Sequence, residues 1–176
     1  MLPPDRYRAT VTDRERRALL FLDVDGPLLP FGGRPQRGPR VTMDVPHLGR
    51  LRLDTGPRLA GLPCTLVWAT TWLEDANTEI APRLGLPELP VVTWPDPTGA
   101  QAREEQWLGL CWKTSTVVTW AAGRPFAWVD DEITDADREW VSEHHQGPAL
   151  LRSVDASCGL TDQDFSVLEA WLGGLL

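Results

Sequence analysis

Five short apolar runs recur along this chain: Ala18–Asp23 (ALLFLD), Cys64–Ala69 (CTLVWA), Leu89–Trp94 (LPVVTW), Phe126–Val129 (FAWV) and Pro148–Val154. Runs without polar alternation read as strands buried on both faces. Stretches with helical character lie around them. Thr55–Gly61 is short, and Trp72–Arg83 carries Leu73, Ala76 and Ile80 at helical spacing, with Pro82 near its end. Thr114–Ala122 is stopped by Gly123 and Pro125, and Thr134–Glu143 follows the fourth run. Thr161–Leu172 opens with Thr161 and Asp164 at the cap and third positions, close to a capping box. Strands that alternate with helices predict an α/β fold: a parallel five-stranded sheet covered on both faces, in three layers. In such sheets ligands bind beyond the carboxyl ends of the strands.

The 176 residues suit one domain over 17–176, preceded by a polar lead-in at 1–16 with no apolar run of the secretory kind. Leu28–Arg40, rich in proline, glycine and arginine, is expected to be loop, and Val41–Asp54 a small hairpin; together 28–54 would form a flap. Asp96–Glu105 is polar and reads as loop or a loose turn of helix. The net charge of −8 opposes non-specific binding to nucleic acid or an anionic membrane, though a local basic loop could still contact phosphate, and no apolar run approaches the length of a span. Three cysteines, an odd number without a CxxC pair, argue against a disulfide framework or zinc site and fit a reducing cytoplasm. Nine tryptophans against one tyrosine is unusual, and core packing is the simplest use for them.

The first run ends in FLDVDGP, two carboxylates two residues apart followed by a glycine. If strand geometry continues, Asp23 and Asp25 project to one face, where their repulsion needs a cation, a shared proton or hydrogen bonds. An EF-hand loop does not fit, since its fifth and twelfth positions would be Pro27 and Arg34. Other polar groups fall at the same sheet edge. Thr70 and Thr71 end the second run, Asp130, Asp131 and Glu132 end the fourth, and Lys113, the only lysine, precedes the Thr114–Ala122 helix. Taken singly, Lys113 reads as a surface lysine and the acidic triplet as a helix start. Together they suit a divalent cation and a phosphate. A carboxylate nucleophile, a second acid to handle the proton, and positive charge on the phosphoryl oxygens are what phosphate ester hydrolysis requires.

FLDVDGP, LVWATTW, WKTSTVVTWAAG and FAWVDDE, in that order, resemble the four motifs of the haloacid dehalogenase (HAD) superfamily. The resemblance implies a Rossmannoid sheet and Mg²⁺-dependent phosphoryl transfer. It casts Asp23 as nucleophile and metal ligand, and Asp25 as general acid/base that also offers its backbone carbonyl to the metal. Thr70, helped by the backbone N–H of Thr71, would bind the phosphoryl group, and Lys113 would stabilise its charge. Asp130 would ligate Mg²⁺, and Asp131 would ligate directly or through water. Asp25 argues for phosphoryl chemistry over carbon–halogen cleavage. Pro27 departs from the family pattern after DxDG and removes a backbone donor from the turn.

Too few residues separate the motifs for a large cap, so the resemblance implies an open site under the flap alone. Such a site suits large substrates or closure by a second copy in a homo-oligomer. The tryptophan-rich phrases VWATTW and WKTSTVVTWAAGRP are also similar to small HAD domains related to those of RNA-repair proteins. The expected partner is a phosphorylated small molecule or another phosphoester. The alternatives are a phosphate- and Mg²⁺-binding domain with little turnover, or a phosphatase of polynucleotide ends gripped by Arg34, Arg37 and Arg40. Trp72 and Trp94 follow strand ends, where core packing competes with stacking on a base or sugar. His47, His144 and His145 lack companions at metal spacing.

Overall fold

Four of the apolar runs pair into one parallel sheet of order β2-β1-β3-β4. In the computed structural model, which describes residues 17–32, 46–96 and 98–176, these are β1 (Leu19–Leu22), β2 (Thr65–Trp68), β3 (Phe126–Asp130) and β4 (Ala149–Ser153). Every residue of β1 and β3 is buried, which explains the lack of polar alternation in their sequences. Side chains still alternate between faces. Leu20, Leu22, Trp68 and Val129 pack on one face against α1 (Thr55–Gly61), α2 (Ala81–Leu84, continuing a π turn at Ala76–Ile80) and α6 (Asp162–Gly173). Leu19, Phe21, Phe126 and Trp128 pack on the other against α4 (Thr114–Ala121) and α5 (Asp135–His144). The expected parallel sheet with helices on both faces is therefore present.

The sheet has four strands, not five. Leu89–Trp94 reaches β2 through a single parallel bridge between Val91 and Trp68. There the Trp68 N–H donates to the Pro90 carbonyl and the Val92 N–H to the Trp68 carbonyl, both at 2.8 Å. Extending the ladder backwards needs an N–H at residue 90, which proline lacks. Extending it forwards needs the Thr70 carbonyl, and the indole N–H of Trp94 takes that acceptor at 2.9 Å. Apolar content alone hid both obstacles.

Three local expectations also change. Where Asp96–Glu105 reads as loop or a loose helical turn, a full helix, α3 (Ala100–Leu108), forms and ends at Gly109 in the left-handed region. Its buried Glu105 accepts from the backbone N–H of Ser115 in α4 at 3.1 Å and also from the Ser115 hydroxyl. Within 46–54 no hairpin strand forms, Pro46–Arg50 being a 3₁₀ turn; residues 41–45 of the expected hairpin lie outside the described residues. Ala76 and Ile80 are buried as their spacing predicts, but Leu73 is exposed, with a φ of 49° in the turn that leaves β2. The lead-in at 1–16 lies outside the described residues. No helix among the described residues is long and apolar enough to cross a membrane.

Candidate active site

Strand parity brings two acids together. Asp23 follows Phe21 at a spacing of two, and Asp130 follows Trp128 likewise, so both fall on the face covered by α4 and α5. Lys113, the residue before α4, meets them there. Its Nζ lies 2.7 Å from Asp130 Oδ2 and 3.0 Å from Asp23 Oδ2, and all three side chains are buried. Two carboxylates around one ammonium leave the cluster negative. Burial, reinforced by the charge of Asp130 and opposed by Lys113, pushes the Asp23 carboxyl up to about 7. Burial would lower the Lys113 ammonium, but the two carboxylates outweigh it and raise it above the ordinary lysine value.

The loop carrying Lys113 is fixed from α5. The buried carboxylate of Asp137 accepts from the Cys111 backbone N–H at 2.9 Å and the Thr114 hydroxyl at 2.5 Å, on either side of Lys113. The same carboxylate closes a capping box with Thr134. One acid thus caps a helix and positions the lysine.

The third acid arrives with the glycine of DVDG. Gly26 has a φ of +89°, and a Cβ there would sit 2.6 Å from Asp131 Oδ1. Only a residue without a side chain lets the first loop lie against the Asp131 carboxylate. Burial and then the neighbouring Asp130 push the Asp131 carboxyl above its ordinary value. The departure at Pro27 is harmless to the turn, whose bonds run from Gly26 N–H to Leu29 O and from Leu28 and Leu29 N–H to Val24 O.

Asp25 does not share a face with Asp23, because β1 stops at Leu22 and the chain turns. Its Oδ2 accepts from the Trp72 indole at 2.9 Å, and its side chain is not among the clustered acids. Thr70 is buried, its Oγ1 accepting weakly from the Trp72 backbone N–H at 3.3 Å, while Thr71 is exposed beside it. The flap arginines Arg34, Arg37 and Arg40 lie outside the described residues.

A set of tryptophans surrounds these groups, and sequence reasoning missed their role. The indole N–H of Trp72 binds Asp25, that of Trp94 the Thr70 carbonyl, that of Trp112 Glu132 Oε2 at 3.3 Å, and that of Trp128 Asp130 Oδ2 at 3.3 Å. Trp94 and Trp112 also meet edge to face, their ring centroids 4.9 Å apart. Indole is a donor with an apolar body, so it orients a carboxylate while excluding water. The available signal was spacing: Trp128 and Asp130 are two apart in a strand, Trp72 follows the end of β2, and Trp94 follows the bridge that Val91 makes to it.

Asp23, Asp130 and Asp131 each offer a carboxylate oxygen within 4.8 Å of the others. An all-oxygen donor set in which Asp23 and Asp131 are raised chiefly by burial fits a small, hard divalent cation such as Mg²⁺. A phosphoryl oxygen approaching the same edge would meet the Lys113 ammonium. The arrangement can hold a metal, neutralise an anion and present a carboxylate oxygen to it.

By sequence the chain belongs to the family of HAD domains in Swiss Army Knife RNA repair proteins, whose profile matches residues 19–165. The match spans all four motifs and places the chain in the HAD superfamily, whose members are generally hydrolases. No curated protein and no solved structure matches the chain significantly.

Proposed function

We propose that the protein is a Mg²⁺-dependent phosphohydrolase working through an aspartyl-phosphate on Asp23. The observation that carries this reading is the cluster itself: three carboxylate oxygens within 4.8 Å, with Lys113 bridging two of the acids. Asp23 attacks phosphorus, forming an O–P bond while the ester O–P bond breaks, and the leaving oxygen takes a proton from Asp25. Water then attacks the acyl phosphate and gives its proton to Asp25, releasing phosphate and freeing Asp23. Lys113, the Thr70 hydroxyl and the Thr71 backbone N–H hold the phosphoryl oxygens and take up developing charge. Asp23, Asp130, Asp131 and the Asp25 backbone carbonyl would hold Mg²⁺, which supplies Lewis-acid neutralisation of the phosphoryl group.

The family's description favours one second reading of the substrate, a terminal phosphate on RNA. It predicts steep salt dependence of binding to a phosphorylated oligoribonucleotide, against the chain's net charge of −8. Burial pushes the thiols of Cys64 and Cys111 up to about 12, and the odd cysteine count without a CxxC pair suits a reducing cytoplasm as the setting.

The test is hydrolysis of 4-nitrophenyl phosphate by the wild type and by Asp23→Asn, each with and without Mg²⁺. Turnover that needs the metal and vanishes in a folded Asp23→Asn variant is expected. Binding of Mg²⁺ and inorganic phosphate without turnover in the wild type would instead make the chain a phosphate- and Mg²⁺-binding domain.

A further inference from the structure

A cleft of about 430 Å³ opens beside the acid at position 25, lined by Asp25, Leu29, Pro30, Phe31 and Arg50. Its composition is uneven. Leu29, Pro30 and Phe31 form an apolar wall, and Phe31 is 49% exposed although its backbone N–H is anchored to the Ala156 carbonyl at 2.8 Å. Arg50, at the end of the Pro46–Arg50 turn, contributes a guanidinium that donates to the Pro30 carbonyl at a long 3.4 Å. Among the described residues no carboxylate pairs with Arg50. Opposite, Asp25 is held by the Trp72 indole. The space is of the size that encloses a small organic group.

We propose that this cleft receives the leaving group of the phosphate ester, and that it selects alcohols with a flat apolar body bearing an anionic group. The reasoning rests on the phosphohydrolase reading above for the role of Asp25. A proton donor must lie beside the departing oxygen, so the space that Asp25 lines is where the alcohol sits. The wall of Leu29, Pro30 and Phe31 offers an aromatic face and apolar edges to a planar body. Arg50 can take a carboxylate or second phosphate in bidentate fashion, giving up only a weak bond to a carbonyl.

Three esters test this with the full chain and Mg²⁺: 4-carboxyphenyl phosphate, phenyl phosphate and glycerol 2-phosphate. The expected order of kcat/KM is carboxyphenyl over phenyl over glycerol. Arg50→Met should remove the advantage of the carboxylate, about tenfold, through KM, with phenyl phosphate unchanged. Phe31→Ala should weaken both aryl esters and spare the glycerol ester. The free leaving group 4-hydroxybenzoate, titrated by ligand-observed NMR, reads the cleft without turnover, and its Kd should rise about tenfold in Arg50→Met. No binding of 4-hydroxybenzoate, or equal kcat/KM for all three esters in every variant, overturns the assignment even if all are hydrolysed. Arg50-dependent binding without hydrolysis of any ester supports the cleft and removes the hydrolase reading instead.

Discussion

Lys113 and its two carboxylates are mutually dependent, since each would be costly to bury without the other. Replacing Lys113 by Met strands Asp23 and Asp130 in a buried setting, a change expected to lower unfolding free energy by about 3–5 kcal/mol. Urea unfolding of metal-free protein measures this, and Mg²⁺ should recover part of the loss by supplying the missing charge. An unchanged midpoint would mean the ion pairs contribute nothing. Trp72→Phe makes a separate prediction. It keeps the ring but removes the hydrogen bond to Asp25, so proton donation to the leaving oxygen should suffer while metal and phosphate binding do not. We expect kcat to fall about tenfold or more for an alkyl phosphate, with KM steady. A 2,4-dinitrophenyl ester, whose leaving oxygen needs no proton, should be spared; equal losses for both would make Trp72 merely structural.

Among the elements, the two capping boxes show how polar residues of the sequence act beyond their own helices. Asp137 reaches from α5 to both sides of Lys113. Asp164 caps α6 with Thr161 and also accepts from Arg152 of β4 at 2.6 Å. Burial raises the Asp164 carboxyl, but bonds from the Thr161 hydroxyl and N–H and from Arg152 outweigh it and hold it below the ordinary aspartate value. A carboxyl lowered by folding stabilises the protein above its unfolded pKa, near 4, and loses that contribution as pH falls through the lower folded value. Stability should therefore drop on acidification below about pH 4, and Asp164→Asn should flatten that drop. Denaturant midpoints between neutral and acid pH report it; identical slopes in both proteins would contradict it. Thr161→Ala, which removes the cap, should lower stability by about 1 kcal/mol at neutral pH.

For the molecule as a whole, what was legible in the sequence was what strand parity and short-range patterning encode. Asp23 and Asp130 each close a buried run, so their convergence follows from pairing β1 with β3 in parallel. The capping residues Thr161 and Asp164 were readable for the same local reason. What escaped was set by partners distant in sequence. Trp72 and Asp25 are 47 residues apart, and nothing local distinguishes an indole that orients an acid from one that fills a core. The missing fifth strand depended on the absent N–H at Pro90 and on the Thr70 carbonyl taken by the Trp94 indole, and α3 on docking of Glu105 to α4 rather than on an apolar stripe. In the proposed mechanism one acid of the cluster around Lys113, Asp23, carries the reaction as a covalent partner. Borohydride trapping during turnover with Mg²⁺, followed by peptide mass spectrometry, tests this most directly. The account predicts reduction of an acyl phosphate to an alcohol at residue 23 alone. Sustained hydrolysis with residue 23 unmodified, or undiminished turnover in Asp23→Asn, would contradict it.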